Sequence, residues 1–257
     1  MNLSNLKIVL INLDRSNTRR QAMTSRLDEL GLPFERISAI DGKQRWEELS
    51  GSVDIDAFER NVGRHVMPGE IGCYHSHLLA WRHLLASPQD VMLVLEDDVV
   101  FDSTFNSVVT AALAQKHNWD LLKLNKIRAK QPVHRLRFGA HRLCAYLGPF
   151  TGMGAYLISR GAVLRLLPKM LPITRPIDHL LDRVWELPVR HYGLEPFPSW
   201  VQDEGESTIT GSRYAEVKKF RLIQRLPYYA GKFNTLIRRF VYVVARTDRK
   251  LDSNKYE

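Results

Sequence analysis

Val91-Met92-Leu93-Val94-Leu95-Glu96-Asp97-Asp98-Val99 is the stretch on which the fold turns. Five consecutive apolar residues are too few to cross a bilayer and read as a strand buried on both faces, in a parallel or mixed sheet. Three carboxylates then arrive together at its C-terminal end, where open α/β sheets place their ligands. Side chains alternate along a strand, so Glu96 and Asp98 share one side and Asp97 takes the other. Like charges this close raise one another's pKa unless a cation lies between them. Hard oxygen donors suit Mg²⁺ or Mn²⁺, ions that bridge carboxylates to diphosphates. The same letters also fit a solvated acidic turn in which Asp97 or Asp98 closes an Asx turn.

Upstream, Lys7 to Leu13 reads as a first strand, followed by a helix capped by Ser16 and stopped by Gly31. Phe34 to Ile37 gives a second strand and Ala39 to Gly42 a turn. This β-α-β start puts the loops Asn12–Arg15 and Ala39–Gly42 on one edge of the sheet. Residues 43–68 read as irregular apart from a helical patch at Trp46–Leu49. In Pro68 to His77 two glycines precede a helix reaching about Leu85, a setting that allows close backbone approach and anion binding. On that helix His75 and His77 diverge and cannot chelate one ion together.

Downstream, a helix is expected over Thr104–Lys116 and a strand over Trp119–Leu124. Residues 126–142 carry six Lys/Arg and read as an irregular loop, either solvated or covering a polyanionic substrate. Short strands follow at Leu143–Leu147 and after the glycine loop Gly148–Gly154. Pro176 opens a helix that sets Asp178 and Asp182 four apart on one face. His191–Glu195 is a last strand, and Pro196–Ser207 a polar loop.

The chain has 257 residues, ordinary apolar and charged fractions and two cysteines, Cys73 and Cys144. That suits a large globular domain with an appendage and excludes a disulfide framework. Without a signal-peptide pattern or a long apolar run, a cytoplasmic protein is expected. The formal charge of +9 is uneven: residues 212–257 hold 12 Lys/Arg against 4 Asp/Glu, leaving +1 for the rest. The division is therefore a body over 1–212 and a basic tail over 213–257. In the tail Leu236, Ile237, Phe240, Val241 and Val244 fall opposite Arg238, Arg239 and Arg246, the pattern of an interfacial helix drawn to anionic lipid. Nucleic acid is not an expected partner, since no binding motif accompanies the charge.

Six short stations in order resemble glycosyltransferase family 25, the lipopolysaccharide or lipooligosaccharide transferases. They are Ile11-Asn12-Leu13-Asp14-Arg15 with Arg19; Ile37 to Gly42; Gly69 to His77; Leu95 to Val99; Gly152 to Ser159; and Pro176 to His179. The position of His75 is more usually apolar in the family. The resemblance implies a GT-A-like nucleotide-sugar-binding fold, α/β with a mixed, mostly parallel sheet. It also implies a UDP-sugar donor, most often UDP-galactose, a Mn²⁺ or Mg²⁺ cofactor and inversion at the anomeric carbon. Glu96 and Asp98 would be the metal ligands. Asn12, Leu13, Arg15, Arg19, Ala39, Asp41, Gly42, Glu70, His77, Asp97 and Gly152 would serve donor binding. Asp178 would be the base, with Glu70 and Asp182 in reserve. The expected role is transfer of a hexose onto a lipid-linked oligosaccharide at the inner face of the bacterial inner membrane. Two rivals remain: a metal-dependent phosphoryl or nucleotidyl transferase, and a membrane-bound glycan-binding protein without catalysis.

Overall fold

A computed structural model describes residues 5–202 and 218–245. The end of the Pro196–Ser207 loop, the boundary at 212 and Arg246 lie outside the described residues. The chain opens with β1 (Leu6–Asn12), α1 (Asn17–Glu29) and β2 (Glu35–Ser38). Gly31 takes the left-handed φ of +64° that ends α1. Ser16 sits at the N-cap without a side-chain capping bond; Asn12 Nδ2 holds its carbonyl at 3.1 Å instead. Next come α2 (Trp46–Leu49), α3 (Ile55–Val62) and α4 (Pro68–Leu85). α3 corrects the irregular reading of this stretch. Asp54 caps it by accepting from the Ala57 amide, and Gly63 closes it at φ +75°.

The central run is β3 (Val91–Glu96), β4 (Val99–Phe101), α5 (Phe105–Ala114), β5 (Leu121–Lys123) and β6 (Arg128–Ala129). Then follow β7 (Pro132–Phe138), β8 (His141–Tyr146), β9 (Phe150–Thr151), β10 (Ala155–Ser159) and α6 (Arg160–Leu166). The chain continues through α7 (Ile177–Leu181), β11 (His191–Glu195), β12 (Ser199–Val201) and α8 (Leu226–Val244). The basic segment 126–142 is thus largely strand, not irregular loop. Its β7–β8 hairpin extends the sheet, and Gly139, at φ +59°, lies in the connecting turn.

Eight strands form one mixed sheet in the order β2-β1-β3-β10-β5-β11-β8-β7. β1 pairs parallel with β2 and β3, and β5 with β11; the other four neighbouring pairs are antiparallel. The sheet is therefore mixed as expected but less parallel. The hairpin and the returning β10 supply the antiparallel pairs. β3 lies between β1 and β10 with alternation intact. Val91, Leu93 and Leu95 join the core containing Met23 and Leu27 of α1, while Met92 and Val94 join that of Ile71, Leu78 and Trp81 of α4. Each such side chain contributes roughly 1.5–3 kcal/mol by leaving water. With both faces covered, β3 can present polar groups only at its end.

α8 packs on the body through a narrow ridge containing Arg239, Tyr242 and Val243. Leu226, Tyr229, Phe233, Ile237, Phe240 and Val244, at helical spacing, are all exposed, as are Leu222 and Ile223 just before the helix. Arg239 faces the protein and not solvent, being 4% exposed. No helix among the described residues is long and apolar enough to cross a membrane.

Candidate functional site

The ends of β1, β3 and β5, the start of β10 and the first turns of α4 meet at one edge of the sheet. Glu96 and Asp97 leave it on opposite sides, as strand alternation requires. Asp97 accepts from Asn12 Nδ2 at 2.7 Å and from Arg19 Nη1 at 3.1 Å. It is thereby tied to the β1–α1 loop. Burial raises its carboxyl, with Asn12 and Arg19 opposing.

Glu96 turns toward α4, where His77 Nε2 lies 3.0 Å from Oε1. Behind it Trp81 Nε1 donates to the Tyr156 hydroxyl at 2.9 Å, and that oxygen lies 3.0 Å from His77 Nδ1. All three rings are buried. Burial holds the Tyr156 hydroxyl well above its ordinary pKa, so it keeps its proton and has Nδ1 to give it to. The network thus assigns the proton of neutral His77 to Nε2, donating to Glu96. Cys73, His77 and Glu96 have ligand atoms within 4.8 Å of one another. Even so, this tautomer aims a proton and not a lone pair at that space, so His77 orients Glu96 rather than sharing a metal with it.

Asp98 is the least satisfied of the three carboxylates. Its Oδ1 is buried without a hydrogen-bond partner among the described residues, and Arg19 Nη1 stands 3.7 Å from Oδ2. Burial first, then the Glu96 charge, pushes its carboxyl up to about 7. A buried carboxylate oxygen without a partner, beside a second carboxylate, fits a hard divalent cation.

Cys73 marks where further acids converge. Burial, then the charges of Glu96, Asp178, Glu70 and Asp98, push its thiol well above the ordinary range. One residue of α4 therefore lies within electrostatic reach of four carboxylates from three separate segments. Glu70 is buried against Arg64 Nη2 at 2.5 Å, and burial still raises its carboxyl. Asp178 accepts from the Gly152 amide at 3.3 Å and the His179 amide at 2.9 Å. Asp182, one turn on, accepts from the Phe150 amide at 2.9 Å and from Arg239 Nη2 at 2.6 Å.

The loop between β9 and β10 joins these parts. Gly152 holds φ +102°, and a Cβ there would lie 2.7 Å from the Ile127 nitrogen, so only glycine fits. The Gly154 carbonyl accepts from the Glu96 amide at 2.7 Å. Beneath the loop, fully buried Lys123 donates to the Phe150 carbonyl at 2.9 Å. Burial pulls its pKa down to about 8, with Asp178 and Asp182 opposing. Asn125 is also wholly enclosed, with neither amide atom partnered among the described residues.

The second loop, Ala39–Gly42, is fixed to the first through the Ala39 amide and Asn12 carbonyl, 3.0 Å. The Ile40 amide donates to Ser76 Oγ at 2.8 Å. Asp41 pairs with Arg15 and accepts from the Lys43 amide at 3.0 Å. Leu13, half-buried, accepts from the Ser16 amide at 2.9 Å at the mouth of the first loop. Gly42 and Gly72 press backbone against backbone, the close approach that glycine at the start of α4 allows. His75 faces away, toward Ser52 Oγ at 2.9 Å.

The structure thus gathers Glu70, His77, Glu96, Asp98, Gly152 and Asp178 at one edge, with Asn12, Arg19 and Asp97 bracing the same turn. Asp182, the reserve base, is committed to Phe150 and Arg239. Arg64, Lys123 and Asn125 were not singled out from the sequence, and Cys73 only as one of two cysteines. For Lys123 the signal was a lysine inside the apolar run Leu121-Leu122-Lys123-Leu124.

The profile of Glycosyltransferase family 25 (LPS biosynthesis protein) matches residues 5–181. The chain belongs to that family. A "Glycosyltransferase 25 family member" of Aedes aegypti is 29% identical over 76% of this chain and 32% of its own length. "Procollagen galactosyltransferase 1-B" of Xenopus laevis is 30% identical over 69% of this chain and 31% of its own. A "Probable inactive glycosyltransferase 25 family member 3" of Bos taurus is 26% identical over 70% of this chain and 32% of its own. The chain spans about a third of the length of the curated relatives it matches.

Proposed function

We propose that the chain is a metal-dependent, inverting glycosyltransferase that moves a hexose, galactose from UDP-galactose, onto a lipopolysaccharide or lipooligosaccharide acceptor. The observation that carries this reading is the gathering of Glu70, Glu96, Asp98 and Asp178 around Cys73, with one Asp98 oxygen buried and unpartnered. Family membership favours sugar transfer over phosphoryl or nucleotidyl transfer, and the Xenopus relative is named as a galactosyltransferase.

Glu96 and Asp98 would hold Mn²⁺ or Mg²⁺, which supplies charge neutralisation at a diphosphate leaving group. His77 keeps Glu96 in place by donating to Oε1. Arg19 and Asn12 hold Asp97 and with it the turn. The loops Asn12–Arg15 and Ala39–Gly42 frame the nucleoside, with Asp41 set by Arg15. Asp178 removes the proton of the acceptor hydroxyl as the sugar passes through an oxocarbenium-like state. The amides of Gly152 and His179 aim its carboxylate.

Helix α8 would seat the protein on an anionic bilayer, at the inner face of the bacterial inner membrane. Residues 218–245 contain no Asp or Glu, and their exposed apolar stripe is flanked by Lys232 and Arg238. Each basic residue near an anionic surface adds about 1 kcal/mol, and each stripe residue immersed adds roughly 1.5–3 kcal/mol.

Calorimetry of the full chain with UDP, with and without Mn²⁺, tests the site; UDP binding is expected only with the metal. Metal-independent binding, or none, removes this reading. The bovine relative's name favours a second reading, a glycan-binding protein without catalysis. Turnover of any member of a UDP-sugar panel excludes it.

A further inference from the structure

We infer that Arg239 of α8 is a positioning residue for the chemistry, acting through Asp182 on the loop that aligns Asp178 and Glu96. This rests on the reading of Asp178 as base and of Glu96 as part of the cation site. Three alternate residues of one loop are fastened to three acidic residues. The Phe150 amide donates to Asp182 Oδ1 at 2.9 Å, and the Gly152 amide to Asp178 Oδ2 at 3.3 Å. The Gly154 carbonyl accepts from the Glu96 amide at 2.7 Å. The loop therefore sets the spacing between base and cation ligand. Its first fastening depends on a group outside the family match. Asp182 is half-buried, and Arg239 gives it Nη2 at 2.6 Å to Oδ2 and 3.3 Å to the Asp182 carbonyl.

Arg239 is placed for this single task. It is 4% exposed on a helix whose other cations face solvent, and it lies near the Trp185 ring, 5.6 Å from its centroid. Thr235, one turn earlier, accepts from Arg183 Nη1 at 3.0 Å, so α8 is registered on the segment after α7 at two successive turns. Remove Arg239 and Asp182 keeps Lys123 as its nearby cation. Lys123, however, is already bound to the Phe150 carbonyl. A half-buried carboxylate that has lost its partner moves toward water or takes up a proton, and either change loosens its hold on the Phe150 amide.

The test is steady-state transfer from UDP-galactose to a soluble acceptor by full-length wild type, Arg239→Gln and Arg239→Lys. Arg239→Gln is expected to lower kcat by about tenfold or more, with donor KM within about twofold, because the nucleoside loops are untouched. Arg239→Lys, which keeps a cation on Asp182, is expected to restore most of the loss. Wild-type kcat in Arg239→Gln overturns the inference, as does an equal loss in Arg239→Lys. Absence of turnover in wild type instead counts against the enzymatic reading itself. Amide hydrogen exchange provides a measure free of turnover: Phe150 and Gly152 should exchange faster in Arg239→Gln than in wild type while Val94 does not change. Equal exchange at Phe150 and Gly152 overturns the inference. Should Arg239→Gln not fold, the same exchange comparison on Asp182→Asn decides it, since that change removes the other half of the pair.

Discussion

The tip of β3 and the outer face of α8 depart from the same rule in opposite senses. At the tip, three carboxylates are half-buried together, one with a buried oxygen that lacks a partner among the described residues. On α8, a stripe from Leu226 to Val244 is left in water while an arginine is turned inward. Buried charge costs several kcal/mol per group unless compensated, and each exposed large apolar side chain forgoes roughly 1.5–3 kcal/mol. Neither arrangement helps the isolated chain fold. On the function proposed here both become favourable when something is added, a cation and diphosphate at one place and a lipid surface at the other. A departure from the burial rule is thus the feature on which each proposed partner rests.

Asp98→Asn should break the comparison most severely. Turnover is expected to fall by about 10³-fold or more and Mn²⁺-dependent UDP binding to vanish in calorimetry, while the melting temperature is not lowered, because a crowded charge has been removed. Asp178→Asn separates chemistry from binding: about 10²–10⁴-fold slower transfer with UDP affinity unchanged. His77→Ala removes the donor that orients Glu96 and should weaken Mn²⁺ affinity by about 10–100-fold, read by titration. Phe240→Asp changes only the other pole. It should weaken sedimentation with phosphatidylglycerol vesicles by about tenfold or more, since the stripe exchanges a large apolar group for a charge, and leave transfer to a soluble acceptor as it was.

The smallest effect concerns Lys123. Its folded pKa of about 8 lies below the ordinary 10.5, so the unfolded chain binds more protons between those values. Stability from this group therefore rises as pH climbs from about 8 to about 10.5 and is flat below. Denaturant titrations across that window should show the rise in wild type and lack it in Lys123→Met. An identical slope in both would remove the buried ammonium from the account.

What the sequence disclosed follows from how local each signal is. β3 was legible because its apolar run and acidic end lie within nine letters. That Asp178 and Asp182 share one face was legible because four residues make about one helical turn, but the loop they both hold was not. The helical tail and its apolar stripe were readable by the same period, but not which way it would face. Arg239 looked like part of a solvated face because Asp182, its partner, is 57 positions away. Helix α3 went unseen although Asp54 and Gly63 bracket it and Ile55, Phe58 and Val62 fall at helical spacing, since it is only eight residues long. The β7–β8 hairpin was hidden by its charges, which suit an edge strand as well as a loop. Lys123 ends β5 and Asn125 lies two residues beyond it, in surroundings that emerge only when α7 and the glycine loop fold over them.

Gly42 and Gly72 meet where neither has room for even one more carbon. The gauge between the Ala39–Gly42 loop and the helix bearing Glu70 and His77 is therefore set by absent atoms. Alanine at either place would act as a wedge, prising the two walls apart together, and no nearby side chain could yield to absorb it, because what it would strike is main chain.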